Sequence, residues 1–134
     1  MVDKVKKIWL DGQFIDWDAA TVPILTHTFH YGLGVFDGMR AYKRGDGGTY
    51  VFRLREHVDR LFDSCKMCFL KPEHTREQVM SACVEALRIN DMPDGYLRPW
   101  FTSARARWEF TRRATRFTPR SSRGSGARIS AKKR

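Results

Sequence analysis

The net positive charge of this 134-residue chain comes entirely from its last thirty-five residues, which limits the length available for a packed core. Residues 100–134 contain eleven Lys or Arg and one acid, Glu109, and they account for the whole net charge of +10. Residues 1–99 are electrically neutral, and a segment of about one hundred residues supports one domain of modest core. We therefore predict one folded domain over residues 1–99 and a basic tail of low order over residues 100–134.

Strand signals occur in the first half of this domain and again at its end. The segment KIWLDGQFIDW predicts a β-hairpin, because Asp11-Gly12 is a strong two-residue turn signal between β-type residues. Residues 39–42 and 49–52 predict two strands joined by a glycine-rich loop, and residues 96–99 predict the start of another strand.

Two amphipathic helices are predicted between these strands. From Leu54 onward apolar residues recur every three or four positions, which is the helical period. Thr75 and Gln78 form the pattern of a capping box at the start of the second helix. The order of strands and helices indicates an α+β fold. The predicted buried positions are Leu54, Val58, Leu61, Phe62, Cys65 and Phe69 in the first helix and Val79, Cys83, Ala86 and Leu87 in the second.

The cysteines and the hydropathy pattern favour a cytoplasmic protein without a metal site. Cys65 and Cys68 read C-x-x-C inside a helical pattern, and Cys83 leaves an odd number. No second pair follows at metal-ligand spacing, so we expect reduced thiols. No apolar run approaches the roughly 18 residues that a membrane helix requires.

The stretch THTFHYGLGVFDGMRAY, residues 26–42, has the composition of a binding-site wall. Glycines at 32, 34 and 38 weaken helix and strand alike, but they permit sharp turns and close contacts. A tight turn leading into a strand, with the aromatic side chains in the core, is an equally good interpretation. His27 and His30 are interpreted as structural.

Three segments, HYGLGVFDGMRAY, VFRLREHVDRL and GYLRP, occur in an order and at spacings that resemble a known family. They are similar to the N-terminal small domain of the branched-chain amino acid aminotransferases, which are fold-type IV pyridoxal-phosphate enzymes. D-amino acid aminotransferase and aminodeoxychorismate lyase are relatives in that group. The resemblance covers residues 8–99 and implies the small domain of the D-amino acid aminotransferase-like fold, with a β-hairpin, a mixed sheet and two helices. The family more often has Glu at the position of Asp37.

The resemblance implies that Arg60 binds the phosphate of pyridoxal 5′-phosphate, for which the forked donors of a guanidinium are suited. The helical pattern alone predicts that Arg60 lies on a solvated helix face. Tyr31 would reach across a dimer interface into the site of the partner subunit.

The resemblance further implies a substrate site made of several residues of this domain. Phe36, Gly38 and Arg40 would line the pocket, with Phe36 as an apolar wall and Gly38 leaving space. Tyr96 and Arg98 would fix the substrate carboxylate. From the residues alone, these two read as a buried tyrosine with one hydrogen bond and an arginine at a strand end.

The activity that the resemblance implies is transamination of Leu, Ile or Val with 2-oxoglutarate in a dimer or higher homo-oligomer. Transamination needs a lysine that bonds to the cofactor and moves a proton at the substrate Cα. By the resemblance this lysine lies in a large domain beyond residue 134, and no lysine here falls in a matching motif. We therefore predict no catalytic residue in this chain, which would be an inactive truncated fragment.

The sequence after Pro99 departs from the family pattern, which usually continues L-V-Y-x-G-E-G-A-M-G-V. A reading shifted by one base permits L-V-Y-I-G-E-G-A-M-G-V from the residues present. Trp100 with Phe101 then forces Val, and Trp108 with Glu109 forces Gly. We hypothesise that residues 100–134 are translated out of frame.

Two other functions remain open. The tail could be a nucleic-acid-binding arm, since arginines interleaved with aromatic residues suit phosphates and base stacking. This alternative is less favoured and rests on Arg105, Arg107, Trp108, Phe110, Arg112, Arg113 and Arg116. Residues 1–99 could also form a non-catalytic dimerisation module.

Overall fold

A computed structural model describes residues 4–103 and 125–132 of the chain. Within these ranges one seven-stranded sheet carries two long helices, which is the predicted α+β layout. In chain order the elements are β1 (Lys7–Leu10), β2 (Gln13–Asp16), a 3₁₀ turn (Trp17–Ala19), α1 (His27–Tyr31), β3 (Gly34–Phe36), β4 (Met39–Lys43), β5 (Thr49–Val51), α2 (Leu54–Met67), α3 (Arg76–Ile89), β6 (Gly95–Ser103) and β7 (Ser125–Lys132).

The hairpin of β1 and β2 is confirmed. Asp11 and Gly12 both have positive φ, 49° and 93°, as a type I′ turn requires. Trp9 lies opposite Phe14 in the ladder, and Trp9 is buried.

Strand β6 is the central strand, and β3 and β4 follow one another along one of its edges. Phe36 pairs with Trp100 and Met39 pairs with Leu97, so a single register continues through both strands. The two strands are separated where position 37 faces Pro99. The Asp37 N–H donates to the Pro99 carbonyl at 3.0 Å, but proline has no N–H to return the bond.

The helices α2 and α3 cover one face of the sheet, and their predicted buried stripes are confirmed except at Leu54, which is only partly buried, and at Phe69. Phe62 of α2 packs edge-on against Phe101 of β6 with ring centroids 5.5 Å apart, which joins helix and sheet through the core. The prediction for Phe69 is wrong, because its side chain is 92% exposed. Helix α2 ends at Met67, and Phe69 turns away with a φ of 55°.

Two segments of residues 100–134, for which low order was predicted, form strands. Strand β6 continues past Pro99 to Ser103, and Ser125–Lys132 forms β7, which pairs with β6 along its whole length and with β1. The ladder uses backbone donors and acceptors, so a segment with weak side-chain periodicity can still complete a sheet. Residues 104–124, which include the arginines and aromatics of the nucleic-acid alternative, lie outside the described residues.

The three cysteines are unpaired, and Cys65 and Cys83 are buried. Burial raises the pKa of the Cys65 thiol to about 11, with a smaller contribution from Cys68. In the described ranges no helix has the length and apolar character needed to cross a bilayer.

Candidate functional site

Most of the predicted substrate residues lie on one face of the sheet. Side chains alternate along a strand, and in β3, β4 and β6 the alternate residues Val35, Met39 and Leu97 are buried. The residues between them face away from α2 and α3. This open face carries five of the six predicted substrate residues, Phe36, Gly38, Arg40, Tyr96 and Arg98.

Arg98 is held between two aromatic rings of this face. Its guanidinium carbon lies 4.4 Å from the ring centroid of Phe36 and 5.2 Å from that of Tyr96. Cation–π contacts of this kind restrict a long side chain and leave its N–H edge available. Phe36 itself is 63% exposed, so the face offers an aromatic surface beside a fixed positive charge.

Gly38 provides the space in which Tyr96 lies. A Cβ at position 38 would stand 2.0 Å from the Tyr96 hydroxyl oxygen and 2.8 Å from Cζ. The glycine is therefore required for close contact with Tyr96. Arg40 pairs with Tyr96 across the ladder and is exposed.

Arg60 of α2 meets the buried carboxylate of Asp37 in a two-point hydrogen bond. Arg60 Nε donates to Oδ2 at 2.7 Å and Nη2 donates to Oδ1 at 2.8 Å. The Asp37 side chain is 2% exposed, whereas the Arg60 side chain is 67% exposed. The solvated-face interpretation of Arg60 is thus incomplete, because one edge of its guanidinium is fixed by the sheet.

Two further donors reach the same carboxylate. The Gly38 N–H donates to Asp37 Oδ1 at 2.6 Å, and His57 Nδ1 lies 2.9 Å from the same oxygen. The ring nitrogen must carry the hydrogen to donate there, so the 3.2 Å approach of Arg60 Nη2 to His57 Nδ1 is a packing contact between two donors.

The hydrogen bonds decide the charge of this cluster. Burial would raise the pKa of Asp37, but hydrogen bonds from Arg60, His57 and the Gly38 N–H outweigh it and hold the pKa below its ordinary value. The hydrogen bond to Asp37 raises the pKa of Arg60. Asp37 is therefore an ionised carboxylate paired with a permanent cation.

Sequence analysis did not identify Asp37 or His57 as site residues. His57 precedes Arg60 by one helical turn. No local sequence pattern links either of them to Asp37, which lies twenty or more residues earlier in the chain. The signal available was the Phe-Asp-Gly-Met-Arg run itself, in which an acid stands between two predicted pocket residues.

Tyr31 lies apart from the sheet face, on the short helix α1. Its side chain is 62% exposed, and its ring packs edge-on against His27 with centroids 5.2 Å apart. Gly32 ends α1 with a left-handed φ of 66°. The role of Tyr31 across a dimer interface stays a prediction.

Residues 24–36, which lead into the open face and contribute Phe36 to it, expose several large apolar side chains. Such surfaces in folded proteins are commonly covered by another segment or subunit. The exposed residues are Ile24, Leu25, Phe29, Tyr31, Leu33 and Phe36. Among the described residues no cluster of His, Cys, Asp and Glu could hold a metal ion.

Comparison with known families gives a match over most of the chain. The family described as amino-transferase class IV matches residues 34–127. The branched-chain-amino-acid aminotransferase of Pseudomonas aeruginosa is 43% identical over 99 residues, which are 74% of this chain and 32% of that protein. The putative enzyme of that name from Methanocaldococcus jannaschii is 44% identical over 92 residues, 69% of this chain and 30% of that protein.

A solved structure agrees with these matches. The Escherichia coli branched-chain amino acid aminotransferase has a TM-score of 0.83 at 30% identity, covering 97% of this chain and 40% of that one. The chain thus spans about a third of the curated relatives and two fifths of the solved structure that it matches.

Proposed function

The chain belongs to the class IV aminotransferase family, and we propose that it supplies the small-domain half of a pyridoxal 5′-phosphate site for branched-chain amino acids. The complete site would transfer the amino group of Leu, Ile or Val to 2-oxoglutarate. The observation that carries this proposal is the exposed guanidinium of Arg60, fixed by Asp37, whose chain neighbours Phe36 and Gly38 lie on the open face. The names of the relatives support the substrate class.

The donor set around Arg60 fits the phosphate of this cofactor. A guanidinium has five N–H donors, and Asp37 takes two of them through Nε and Nη2. The side chain is two-thirds exposed, so its remaining donors can reach a dianion. When bound, pyridoxal 5′-phosphate supplies the electron sink that amino transfer requires.

The open face would bind the amino acid. The guanidinium of Arg98, held between two rings, can pair with the substrate carboxylate. Phe36 offers an apolar surface for a branched side chain, and Gly38 leaves the space that a Cβ would take from Tyr96. Arg40 stands on the same face as a second positive charge.

We place the lysine that carries out proton transfer in another part of the enzyme. Amino transfer needs an amine that bonds to the cofactor, and the lysines of this chain match no such motif. We propose that this chain is inactive alone and acts in the cytoplasm with a large domain and a second subunit. Tyr31 and the exposed apolar side chains of α1 would face these parts.

A chimeric enzyme tests this function. Residues 8–99 of this chain replace the matching segment of the Pseudomonas aeruginosa relative, and amino transfer from Leu, Ile and Val to 2-oxoglutarate is assayed. We expect turnover, because both halves of the site are then present. Within the chimera, Arg60→Gln should weaken pyridoxal 5′-phosphate binding by about tenfold or more, since it removes charge-assisted hydrogen bonds.

The matched control is Arg55→Gln, which removes an exposed arginine of the same helix and should leave cofactor affinity unchanged. A folded chimera that binds the cofactor but transfers no amino group from any of the three amino acids would contradict the proposal.

A further inference from the structure

The carboxylate of Asp37 is the fixed point of a cluster that also contains Arg60 and His57. Resting on the proposed function of Arg60 as the phosphate ligand, we propose that Asp37 is a positioning residue, supported by His57. It holds the guanidinium of Arg60 by its Nε–Nη2 edge, so that the edge formed by Nη1 and the second Nη2 hydrogen is presented to the cofactor phosphate. The geometry that carries the inference is the two-point contact at 2.7 and 2.8 Å.

The sheet fixes the position of the carboxylate. The Asp37 backbone N–H donates to the Pro99 carbonyl at 3.0 Å, and the next N–H, that of Gly38, donates to Asp37 Oδ1 at 2.6 Å. The side chain points to the helix-covered side and is almost completely buried. The carboxylate therefore has little freedom to move. Because Asp37 is bonded to β6, its carboxylate holds the Arg60 guanidinium at a fixed place relative to that strand.

His57 completes the set of donors. Its Nδ1 donates to Oδ1 at 2.9 Å, and its side chain is mostly buried one helical turn before Arg60. Oδ1 thus accepts from Gly38, His57 and Arg60, while Oδ2 accepts from Arg60. A carboxylate satisfied in this way stays ionised and can hold the guanidinium continuously.

Two opposite effects of Asp37 on phosphate binding can be separated by their sign. As a negative charge, Asp37 reduces the attraction of Arg60 for an anion, so its removal would strengthen binding. As a positioning group, it removes the entropic cost of ordering a long side chain on binding, so its removal would weaken binding. Positioning predicts weaker binding.

The test uses NMR of the arginine Nε–H signals in the full 134-residue chain. Pyridoxine 5′-phosphate is the probe, and pyridoxine, which lacks the phosphate, is the reference. In the wild type we expect slow hydrogen exchange at Arg60 Nε and a shift of its signal with pyridoxine 5′-phosphate but not with pyridoxine. In Asp37→Asn we expect faster exchange and about three- to tenfold weaker binding of pyridoxine 5′-phosphate.

Asp59→Asn is the matched control. Asp59 accepts from Arg76 Nε at 2.8 Å, which makes it a second Asp–Arg pair anchored on α2. Its substitution should release Arg76 and leave both readouts of Arg60 unchanged. The conservative variant Asp37→Glu retains a carboxylate, and it should keep the slow exchange of Arg60 Nε–H.

The outcomes separate the inference from the function on which it rests. Equal or tighter binding by folded Asp37→Asn would overturn the positioning role and leave Arg60 as the phosphate ligand. No phosphate-dependent shift at Arg60 in the wild type would overturn the proposed role of Arg60 itself. If Asp37→Asn does not fold, the wild type decides: exchange at Arg60 Nε as fast as at Arg55 would overturn the inference, and slower exchange would support it.

Discussion

On the open face of the sheet, the Tyr96 side chain fills the space that a side chain at position 38 would need. A Cβ at position 38 would lie 2.0 Å from the Tyr96 hydroxyl, and the displaced ring is one of the two that hold Arg98. The backbone of Gly38 has no left-handed φ, so the effect of a substitution comes from space alone. A single methyl group at this position would therefore disturb the predicted carboxylate-binding arginine.

We predict that Gly38→Ala destabilises the chain by about 1 kcal/mol, because the half-buried ring of Tyr96 must move to relieve the overlap. The free energy of unfolding is measured by urea denaturation. In the chimera the same substitution should raise KM for leucine, since Arg98 loses a ring contact.

Gly45→Ala is the control, because a Cβ there meets no atom within 4 Å. It should change stability by less than about 0.5 kcal/mol. Adding Tyr96→Phe to Gly38→Ala should recover part of the loss, since it removes the hydroxyl of the closest contact. Equal stability of Gly38→Ala and Gly45→Ala would contradict the steric account.

At the residue scale, the predicted substrate residues were named through the family resemblance, and their roles stay predictions. Phe36, Arg40, Tyr96 and Arg98 share a face because strand alternation places them there. The pairing of Asp37 with Arg60 depends on how α2 lies against the sheet, which no local pattern encodes. The buried acid was therefore missed although its neighbours were identified.

At the scale of elements, α2 and α3 follow from periodicity and capping. Thr75 is the N-cap of α3: its hydroxyl accepts from the Gln78 N–H at 3.2 Å, and the Gln78 side chain accepts from the Thr75 N–H at 2.8 Å. This reciprocal pair confirms the predicted capping box.

We predict that Thr75→Ala lowers the free energy of unfolding by about 1 kcal/mol, because it leaves a helix N–H without its acceptor. Urea denaturation measures the change. Thr75→Ser retains the hydroxyl and should stay within a few tenths of a kcal/mol of the wild type. Equal losses in both variants would show that the methyl group of Thr75, not its hydroxyl, stabilises the helix start.

The elements that sequence analysis missed are short or depend on distant partners. Helix α1 has five residues, which is too few to show a helical period, although Gly32 at its end is a recognisable stop signal. Strand β3 is three residues long, and β7 exists through its pairing with β6 and β1. Sheet pairing between segments far apart in sequence leaves no periodic signal in either one.

At the scale of the whole molecule, we propose that the described residues present one side of a site. The sheet face with Phe36 and Arg98 is open, and large apolar side chains near α1 are exposed. The chain spans about a third of the length of its curated relatives. These features support a half-site that needs further protein to close it.

The most direct test of this half-site is an assay of the purified 134-residue chain. The chain is mixed with pyridoxal 5′-phosphate, leucine and 2-oxoglutarate, and the visible absorbance of the cofactor and the formation of glutamate are followed. The Pseudomonas aeruginosa relative, assayed in parallel, is the positive control. We predict no absorbance band from lysine-bound cofactor and no glutamate from this chain; a band that fades on addition of leucine, or glutamate above background, would contradict the account, because it would require a catalytic lysine within these 134 residues.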